Sequence, residues 1–313
     1  MRIVSLLPAA TEWVCAFDAS EDLVGRSHAC DFPPSIRALP ALTRVAFDVG
    51  HAGSSEIDAA VRGRLLEGLS LYAVDLDRLR ALRPDLVLTQ AQCAVCAVEA
   101  SQLEAALAAW TDGRPRLFSM EPMTFKEVLN AALRLGRELG RTEAAMRVVA
   151  EGERRLLTLR ERLGLPRSAD PATFPTVACI EWLEPVMTAG HWMPDVAERA
   201  GGRAVLADAG APSRYVAWDD LRAADPDVIA VMPCGFPLER TRRDLHLLTS
   251  KPGWDSLRAV RNGRVFLFDG NAYFNRPGPR LHRAAELLAA ALHPERVPIG
   301  SLSVAAWEME PLG

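Results

Sequence analysis

The amino-acid sequence predicts an α/β fold of two similar lobes, each with a parallel-type sheet, joined by a long helix. Three features of the 313-residue chain predict this fold. Short β-prone runs alternate with helical patterns, which is typical of βαβ units. One strand–helix–strand pattern occurs twice, and a long helical pattern lies between the two copies. We therefore expect the lobes to share one architecture.

The elements of the first lobe follow one another along residues 1–123. Each predicted strand is a short run of mostly apolar, β-prone residues, and each predicted helix repeats apolar residues every three or four positions. The predicted strands are residues 2–7, 22–27, 85–90 and 116–120, and the predicted helices are residues 9–17, 75–82 and 97–110.

The linking segment, residues 124–165, is predicted to be helical. It opens on a capping box formed by Thr124 and Glu127. A second helical pattern covers residues 142–164, and about 20 helical residues span roughly 30 Å, the distance from lobe to lobe. An apolar stripe runs along this helix and consists of Met146, Val149, Leu156, Leu159 and Leu163.

The second lobe, residues 166–293, begins in a linker rich in Pro and Ser and returns to the alternating pattern. The predicted strands are residues 176–183, 227–232 and 264–270, and the predicted helices are residues 194–201 and 278–292. A tail, residues 294–313, closes the chain.

An internal repeat relates the two lobes. The stretch VDLDRLRALRPDLVLTQ (74–90) aligns with VAWDDLRAADPDVIAVM (216–232) at a constant offset of 142 residues. A repeat at this separation indicates two related supersecondary units. The identical pairs are Val74/Val216, Asp77/Asp219, Leu79/Leu221, Arg80/Arg222, Ala81/Ala223, Pro84/Pro226 and Asp85/Asp227.

Composition and charge exclude several classes of partner. The net charge is −4 with no basic stripe, so we expect no nucleic-acid partner. No apolar run reaches the roughly 18 residues that a membrane span needs.

The first residues, MRIVSLLPAATEWVCAF, lack the long apolar core and small-residue cleavage site of a secretion signal. We therefore expect a cytoplasmic chain whose six Cys are reduced thiols.

The candidate site residues follow predicted strands. In a parallel sheet, the loops after the carboxyl ends of the strands form the ligand crevice. If the two lobes are related, the loops after residues 85–90 and 227–232 face each other across a central cleft. The Cys and His residues predicted there are Cys93, Cys96, Cys234, His191, His28 and Cys30, and the other predicted contacts are Gln90, Glu184, Trp192, Asn271, Tyr273, Phe274 and Arg276.

The chemistry of the cysteines stays open at this point. Cys93, Cys96, Cys234 and His191 would suit tetrahedral zinc, with the C-x-x-C pair supplying half of the ligands. A thiol enzyme with Cys93 or Cys96 as nucleophile and a histidine as base is a second hypothesis. No nucleotide-binding, nucleophile-elbow or metalloprotease motif is present, so no reaction class is indicated. Small buried filler is the third interpretation.

The stretches RIVSLLPAATEWVCAF, LVGRSHACDFPP, RPDLVLTQ and AADPDVIAV, with the long central helix, resemble the helical-backbone class of ABC-transporter substrate-binding proteins. Within that class the chain resembles the branch that binds vitamin B12 and iron chelates, as a leaderless cytosolic member. The likeness covers residues 1–292. It implies two lobes, a rigid linking helix and one ligand held between the lobes.

This resemblance also implies a function. We expect a non-enzymatic binding protein for cobalamin, another corrinoid or a related metal chelate, with an ABC permease as the partner that the family implies. Trp192, Tyr273 and Phe274 could equally belong to the core, but if they are partly exposed in their loops they would stack on the macrocycle. His191 or His28 would offer an axial nitrogen to cobalt or iron. The alternative is a cytosolic protein that holds a bare zinc or iron ion with its Cys and His side chains.

Overall fold

The computed structural model describes residues 1–46, 52–66, 71–90, 103, 105, 107–108, 114–166, 168–303, 305–306 and 308–312. The chain forms two compact units. The first unit comprises Met1–Ala52, Glu56–Pro122 and Lys126–Ala150, and the second comprises Gly53–Ser55, Met123–Phe125 and Glu151–Gly313.

The first unit is built on a parallel sheet. Its strands are β1 (Ile3–Ser5), β2 (Leu23–Arg26), β5 (Leu86–Thr89) and β6 (Arg116–Ser119), in the order β2-β1-β5-β6. Its helices include α1 (Pro8–Ala16), α2 (Ser54–Leu66, which begins in the second unit) and α3 (Leu76–Ala81). All three strand pairings are parallel, as predicted. The short antiparallel pair β3 (Thr43–Val45) and β4 (Tyr72–Val74) was not predicted, because three-residue strands leave little periodicity to detect.

The core of the first unit lies against one face of this sheet. Val4, Leu79 and Val87 pack there with Leu103 and Leu107, all of them buried. Leu103 and Leu107 are helical and one turn apart, which confirms that part of the helix predicted over residues 97–110. The rest of that predicted helix, apart from Ala105 and Ala108, lies outside the described residues.

The second unit contains a mixed sheet with a parallel centre. Its strands are β7 (Thr176–Trp182), β8 (Met187–Thr188), β9 (Arg203–Ala204), β10 (Arg214–Tyr215), β11 (Val228–Val231), β12 (Val265–Phe268) and β13 (Met309–Pro311). The order is β10-β8-β7-β11-β12-β13, with β9 beside β7. The three predicted strands β7, β11 and β12 are parallel. The additional strands β8, β10 and β13 pair antiparallel with their neighbours.

The remaining helices lie further along the chain. In chain order they are α4 (Phe125–Glu138), α5 (Thr142–Arg162), α6 (Met193–Arg199), α7 (Trp218–Ala224), α8 (Leu238–Asp244), α9 (His246–Thr249), α10 (Arg258–Arg261) and α11 (Leu281–Leu292). The long predicted helix is α5, and both units contain part of it. Val149, Leu159 and Leu163 of its apolar stripe are buried. Met146, in the same stripe, is 59% exposed.

The sequence repeat corresponds to a repeated structure. β4, α3 and β5 in the first unit match β10, α7 and β11 in the second. The repeated aspartate performs the same task in each unit. Asp85 accepts a hydrogen bond of 2.7 Å from the peptide N–H of Arg2, and Asp227 accepts one of 2.8 Å from that of Thr176. Each aspartate therefore holds the start of the neighbouring parallel strand.

None of the helices that the structure describes is both long enough and apolar enough to cross a membrane.

Candidate ligand site on the second unit

Three loops follow the carboxyl ends of the adjacent strands β7, β11 and β12, and they are bonded to one another. We call them the loop cluster: residues 183–192, which include the two-residue strand β8, residues 233–236 and residues 269–276. The N–H of Gly270 donates to the carbonyl of Phe236 at 3.0 Å. The Asn275 amide donates to the carbonyl of Met232 at 3.0 Å. The indole N–H of Trp192 donates to the carbonyl of Phe274 at 2.9 Å, which ties the first loop to the third.

The third loop is rigidly built at its start. Residues Gly270–Phe274 form one π-helical turn, and Asp269 caps it by accepting the N–H of Ala272 at 2.7 Å. Gly270 allows the close approach of the second loop. A Cβ at this position would lie 2.1 Å from the carbonyl oxygen of Pro233. Only glycine lets these two backbones touch.

The aromatic rings of the cluster are more buried than the sequence predicts. Trp192 is 8% exposed, Tyr273 is 6% exposed and Phe274 is fully buried. The ring of Phe274 packs edge-on against Phe268, with 5.0 Å between centroids. Of the two alternatives for Phe274, the core position is therefore confirmed, because this ring fills the core beneath its loop. Trp192 and Tyr273 each have their polar atom bonded inside the unit.

The loop cluster contains two of the metal-ligand candidates, the imidazole of His191 and the thiol of Cys234. The backbone of His191 has φ of +52°, and its N–H donates to the carbonyl of Ala211 at 2.6 Å. Ring atom Nδ1 lies 3.5 Å from Ser213 Oγ, and that hydroxyl donates to Glu181 at 2.8 Å. Burial lowers the pKa of this half-buried imidazole below its usual value, so the ring is neutral at pH 7. A neutral imidazole can donate a lone pair to a metal.

Polar groups of the cluster are held in place by other side chains. Arg276 is 7% exposed, and its guanidinium donates to the Asn271 side-chain oxygen at 2.8 Å. Lys251 forms an ion pair with Glu184. Cys234 is half-buried, and its N–H donates to the carbonyl of Glu181 at 3.0 Å. The cluster therefore offers an amide, a guanidinium, a thiol and an imidazole from neighbouring loops.

The predicted residues of the first unit have partners of their own. Cys30 is 1% exposed, and its sulfur accepts a hydrogen bond from the Thr11 hydroxyl at 3.0 Å. His28 is exposed, and its Nδ1 lies 2.7 Å from the hydroxyl oxygen of Thr43. Gln90 is 5% exposed. Buried Cys30 thus makes the contacts of a structural thiol.

The zinc hypothesis depends on residues that the structure does not describe. Within the described ranges, no group of three or more His, Cys, Asp or Glu side chains is placed to hold a metal ion. Cys93 and Cys96 lie outside those ranges, so the four-ligand set with Cys234 and His191 stays a prediction. Two other thiols fit the interpretation as filler. Burial raises the pKa of Cys15 to about 11 and that of Cys179 to about 12, so both stay protonated at neutral pH.

Residues 3–272 match the family model described as periplasmic binding protein. The chain belongs to this family. Its members are substrate-binding proteins rather than enzymes, which confirms the non-enzymatic prediction and leaves the thiol-enzyme hypothesis without support. The α/β class and the resemblance to the vitamin B12- and iron-chelate-binding branch are confirmed as well, whereas the cytosolic location stays a prediction.

Individual relatives cover nearly the whole chain. The vitamin B12-binding protein of Vibrio cholerae is 25% identical over 300 residues, which are 93% of this chain and 88% of the relative. The crystal structure of a periplasmic heme-binding protein from Pseudomonas aeruginosa has a TM-score of 0.68 at 21% identity, with 94% and 92% of the two chains covered. The structure of the periplasmic vitamin B12-binding protein of Vibrio cholerae has a TM-score of 0.65 at 21% identity, with 93% and 96% covered.

The sequence does not reveal the residues that hydrogen-bond to the site residues and hold them in place. Ser213 lies beside His191 and donates to Glu181, and Glu308 accepts the hydroxyl of Tyr273. Glu181 had a detectable signal, since it interrupts an apolar strand. Ser213 and Glu308 had none, because they reach the site from loops 22 and 35 residues further along the chain.

Proposed function

We propose that this chain is a non-enzymatic binding protein for cobalamin or a closely related metal chelate. The relative that is named a vitamin B12-binding protein supports this proposal, because it aligns with 93% of the chain. Membership of the periplasmic binding protein family supports the general mode of action, which is reversible capture of a small molecule.

The observation that carries the proposal is the loop cluster around His191. Cobalamin presents a cobalt centre, which accepts a neutral nitrogen donor, and peripheral amides, which need hydrogen-bond partners. The cluster supplies a neutral imidazole and, one loop away, the Asn271 amide held by Arg276. We propose His191 as the axial donor, with Asn271 and Arg276 as polar contacts.

The test is a titration of the purified chain with hydroxocobalamin, followed by calorimetry and visible absorbance. We expect one corrinoid per chain and a red shift of the visible bands as imidazole replaces the axial water. His191→Ala should abolish the shift and weaken binding at least tenfold, which is about 1.4 kcal/mol. His246→Ala is the matched control, because this histidine is exposed on α9 and bonds only locally through Nδ1 to the carbonyl of Arg243.

The outcomes separate the candidate ligands. Saturable binding with an unchanged spectrum in His191→Ala would remove the axial role and leave the binding function. No binding of hydroxocobalamin, with one-to-one binding of iron(III) protoporphyrin IX, would replace the corrinoid with heme. Binding of zinc alone, lost in Cys93→Ser, would favour the bare metal ion. An ABC permease as partner and a cytoplasmic location are predictions that these titrations leave untouched.

A further inference from the structure

The C-terminal segment of the second unit, residues 305–306 and 308–312, lies beyond the family match, which ends at residue 272. It is nevertheless bonded to the loop cluster. Strand β13 adds to the edge of the sheet by pairing with β12. The ladder continues one step further, because the N–H of Asp269 donates to the carbonyl of Glu308 at 3.0 Å. Asp269 is the residue that caps the π-helical turn of the third loop.

The side chain of Glu308 reaches into the same loop. The residue is 5% exposed, and its carboxylate accepts four hydrogen bonds. Oε1 accepts the Tyr273 hydroxyl at 2.8 Å and Nε of Arg283 at 2.9 Å. Oε2 accepts Nη2 of Arg283 at 2.9 Å and the N–H of Ala305 at 2.7 Å. A buried carboxylate is stable here because its oxygens have donors on both sides.

These partners keep the Glu308 carboxyl ionised. Burial alone would raise the pKa of this carboxyl, but the hydrogen bonds from Arg283, Ala305 and Tyr273 outweigh burial and leave the pKa below its usual value. The pKa of Tyr273 is raised, first by burial and then by its hydrogen bond to Glu308. The phenol is therefore a fixed donor at physiological pH, and its ring lies 5.1 Å below the Arg280 guanidinium.

We propose that Glu308 is a positioning residue for the ligand site. Through Tyr273 and the backbone of Asp269, it holds the loop of residues 269–276 in the conformation that presents Asn271 and Arg276. The ligand part of this inference rests on the proposed function. The positioning part rests on the hydrogen bonds alone.

Arg283 does not depend on Glu308 alone. Arg283 has further acceptors, the Glu286 carboxylate at 3.2 Å and the carbonyl of Leu302 at 3.1 Å. In Glu308→Ala, the buried Tyr273 hydroxyl loses the carboxylate oxygen to which it donates. Since an unmade buried hydrogen bond is costly, the turn would rearrange to rehydrate the phenol.

The experiment measures amide hydrogen exchange in the unliganded full-length chain, with Glu308→Ala compared to Glu310→Gln. Glu310 lies on β13 in the same segment, but its carboxylate pairs with Arg242 and does not reach the loop. We expect Glu308→Ala to raise exchange across residues 269–276 at least tenfold, with β7 and β11 unchanged. Glu308→Gln retains an acceptor oxygen for Tyr273 and should restore much of the protection. Glu310→Gln should match the wild type.

A double-mutant cycle separates positioning from general stabilisation. If Glu308 acts through Tyr273, Tyr273→Phe and Glu308→Ala should each loosen the loop, and the double variant should loosen it little further. Additive effects would overturn the proposal. So would exchange that rises equally in β7, β11 and the loop, or a loop unchanged in Glu308→Ala.

The ligand measurement is independent of the exchange measurement. Where the wild type binds hydroxocobalamin, Glu308→Ala should weaken binding about tenfold and Glu310→Gln should leave it unchanged. Equal affinity in both variants would overturn the role of the segment in binding. If the wild type binds no chelate, the proposed function fails, and the exchange result still decides whether Glu308 positions the loop.

Discussion

Gly270 is the position where one added methyl group should do the most damage to the loop cluster. A Cβ here would lie 2.1 Å from the carbonyl oxygen of Pro233 and 2.7 Å from two backbone atoms of Met232. The contact with Pro233 falls about 1 Å inside van der Waals distance, the other two are also too short, and none of the atoms belongs to a flexible side chain. Gly270→Ala must therefore push the second and third loops apart.

The structure sets the size of this effect. Overpacking of a tight site costs about 1–3 kcal/mol, and clashes with backbone alone place Gly270→Ala near the upper end. The φ angle of Gly270 lies outside the left-handed region, so the cost is steric rather than conformational. About 3 kcal/mol corresponds to a fall in Tm of roughly 6–12 °C for a unit of this size.

Differential scanning calorimetry measures the effect, with Gly300→Ala as the control. Among the residues that the structure describes, none places a heavy atom within 4 Å of a Cβ at Gly300, and its φ is likewise outside the left-handed region. This control should leave Tm unchanged or raise it slightly, because alanine restricts the unfolded chain. An unfolding temperature for Gly270→Ala equal to that of Gly300→Ala would show that the two loops do not touch as described.

Two further predictions concern the second unit. Asp227→Asn should lower the free energy of unfolding at pH 7 by about 1 kcal/mol, because it weakens the bonds to Thr176 and Arg258. Burial opposes ionisation of Asp227, but the hydrogen bonds from Thr176 and Arg258 outweigh it and lower the pKa of this carboxyl below 3.8 in the folded chain. The stabilisation by Asp227 is therefore fully present above pH 3.8 and is lost as pH falls through the lower folded pKa. Urea titrations at pH 7 and pH 3 should therefore show the wild-type advantage shrinking in acid, and a constant difference would contradict the assignment. Phe274→Ala should cost about 3–5 kcal/mol in urea unfolding, because the ring is fully buried against Phe268. A wild-type urea midpoint for Phe274→Ala would indicate that the ring is exposed after all.

The buried aromatic rings show where sequence reasoning stops. The rule that ligand loops follow the carboxyl ends of parallel strands correctly predicts that the loops after β7, β11 and β12 lie beside one another. It does not say which side chains of a loop point into the core. In the third loop a π-helical turn directs Phe274 towards Phe268, while half-buried Asn271 stays nearer the surface. A turn of five residues has no periodicity that would reveal this direction.

The cysteines give the complementary case. In the sequence they allow three interpretations: a zinc site, a catalytic thiol and a small buried filler. The structure places Cys30 beside Thr11, inside the first unit. The family match, by contrast, depends on the pattern of the whole chain, and it removes catalysis from the alternatives. Local motifs alone were too short to make that distinction.

By itself, the sequence determined the α/β class, the order of the long elements and the repeat that places Asp85 and Asp227 at equivalent strand starts. These features depend on local periodicity and on short-range pairing, which residues close in sequence encode. Only the tertiary structure decided that Ser213 lies beside His191 and that Glu308 holds Tyr273. Such contacts join residues tens of positions apart, and only the packed backbone brings their polar atoms within hydrogen-bonding distance.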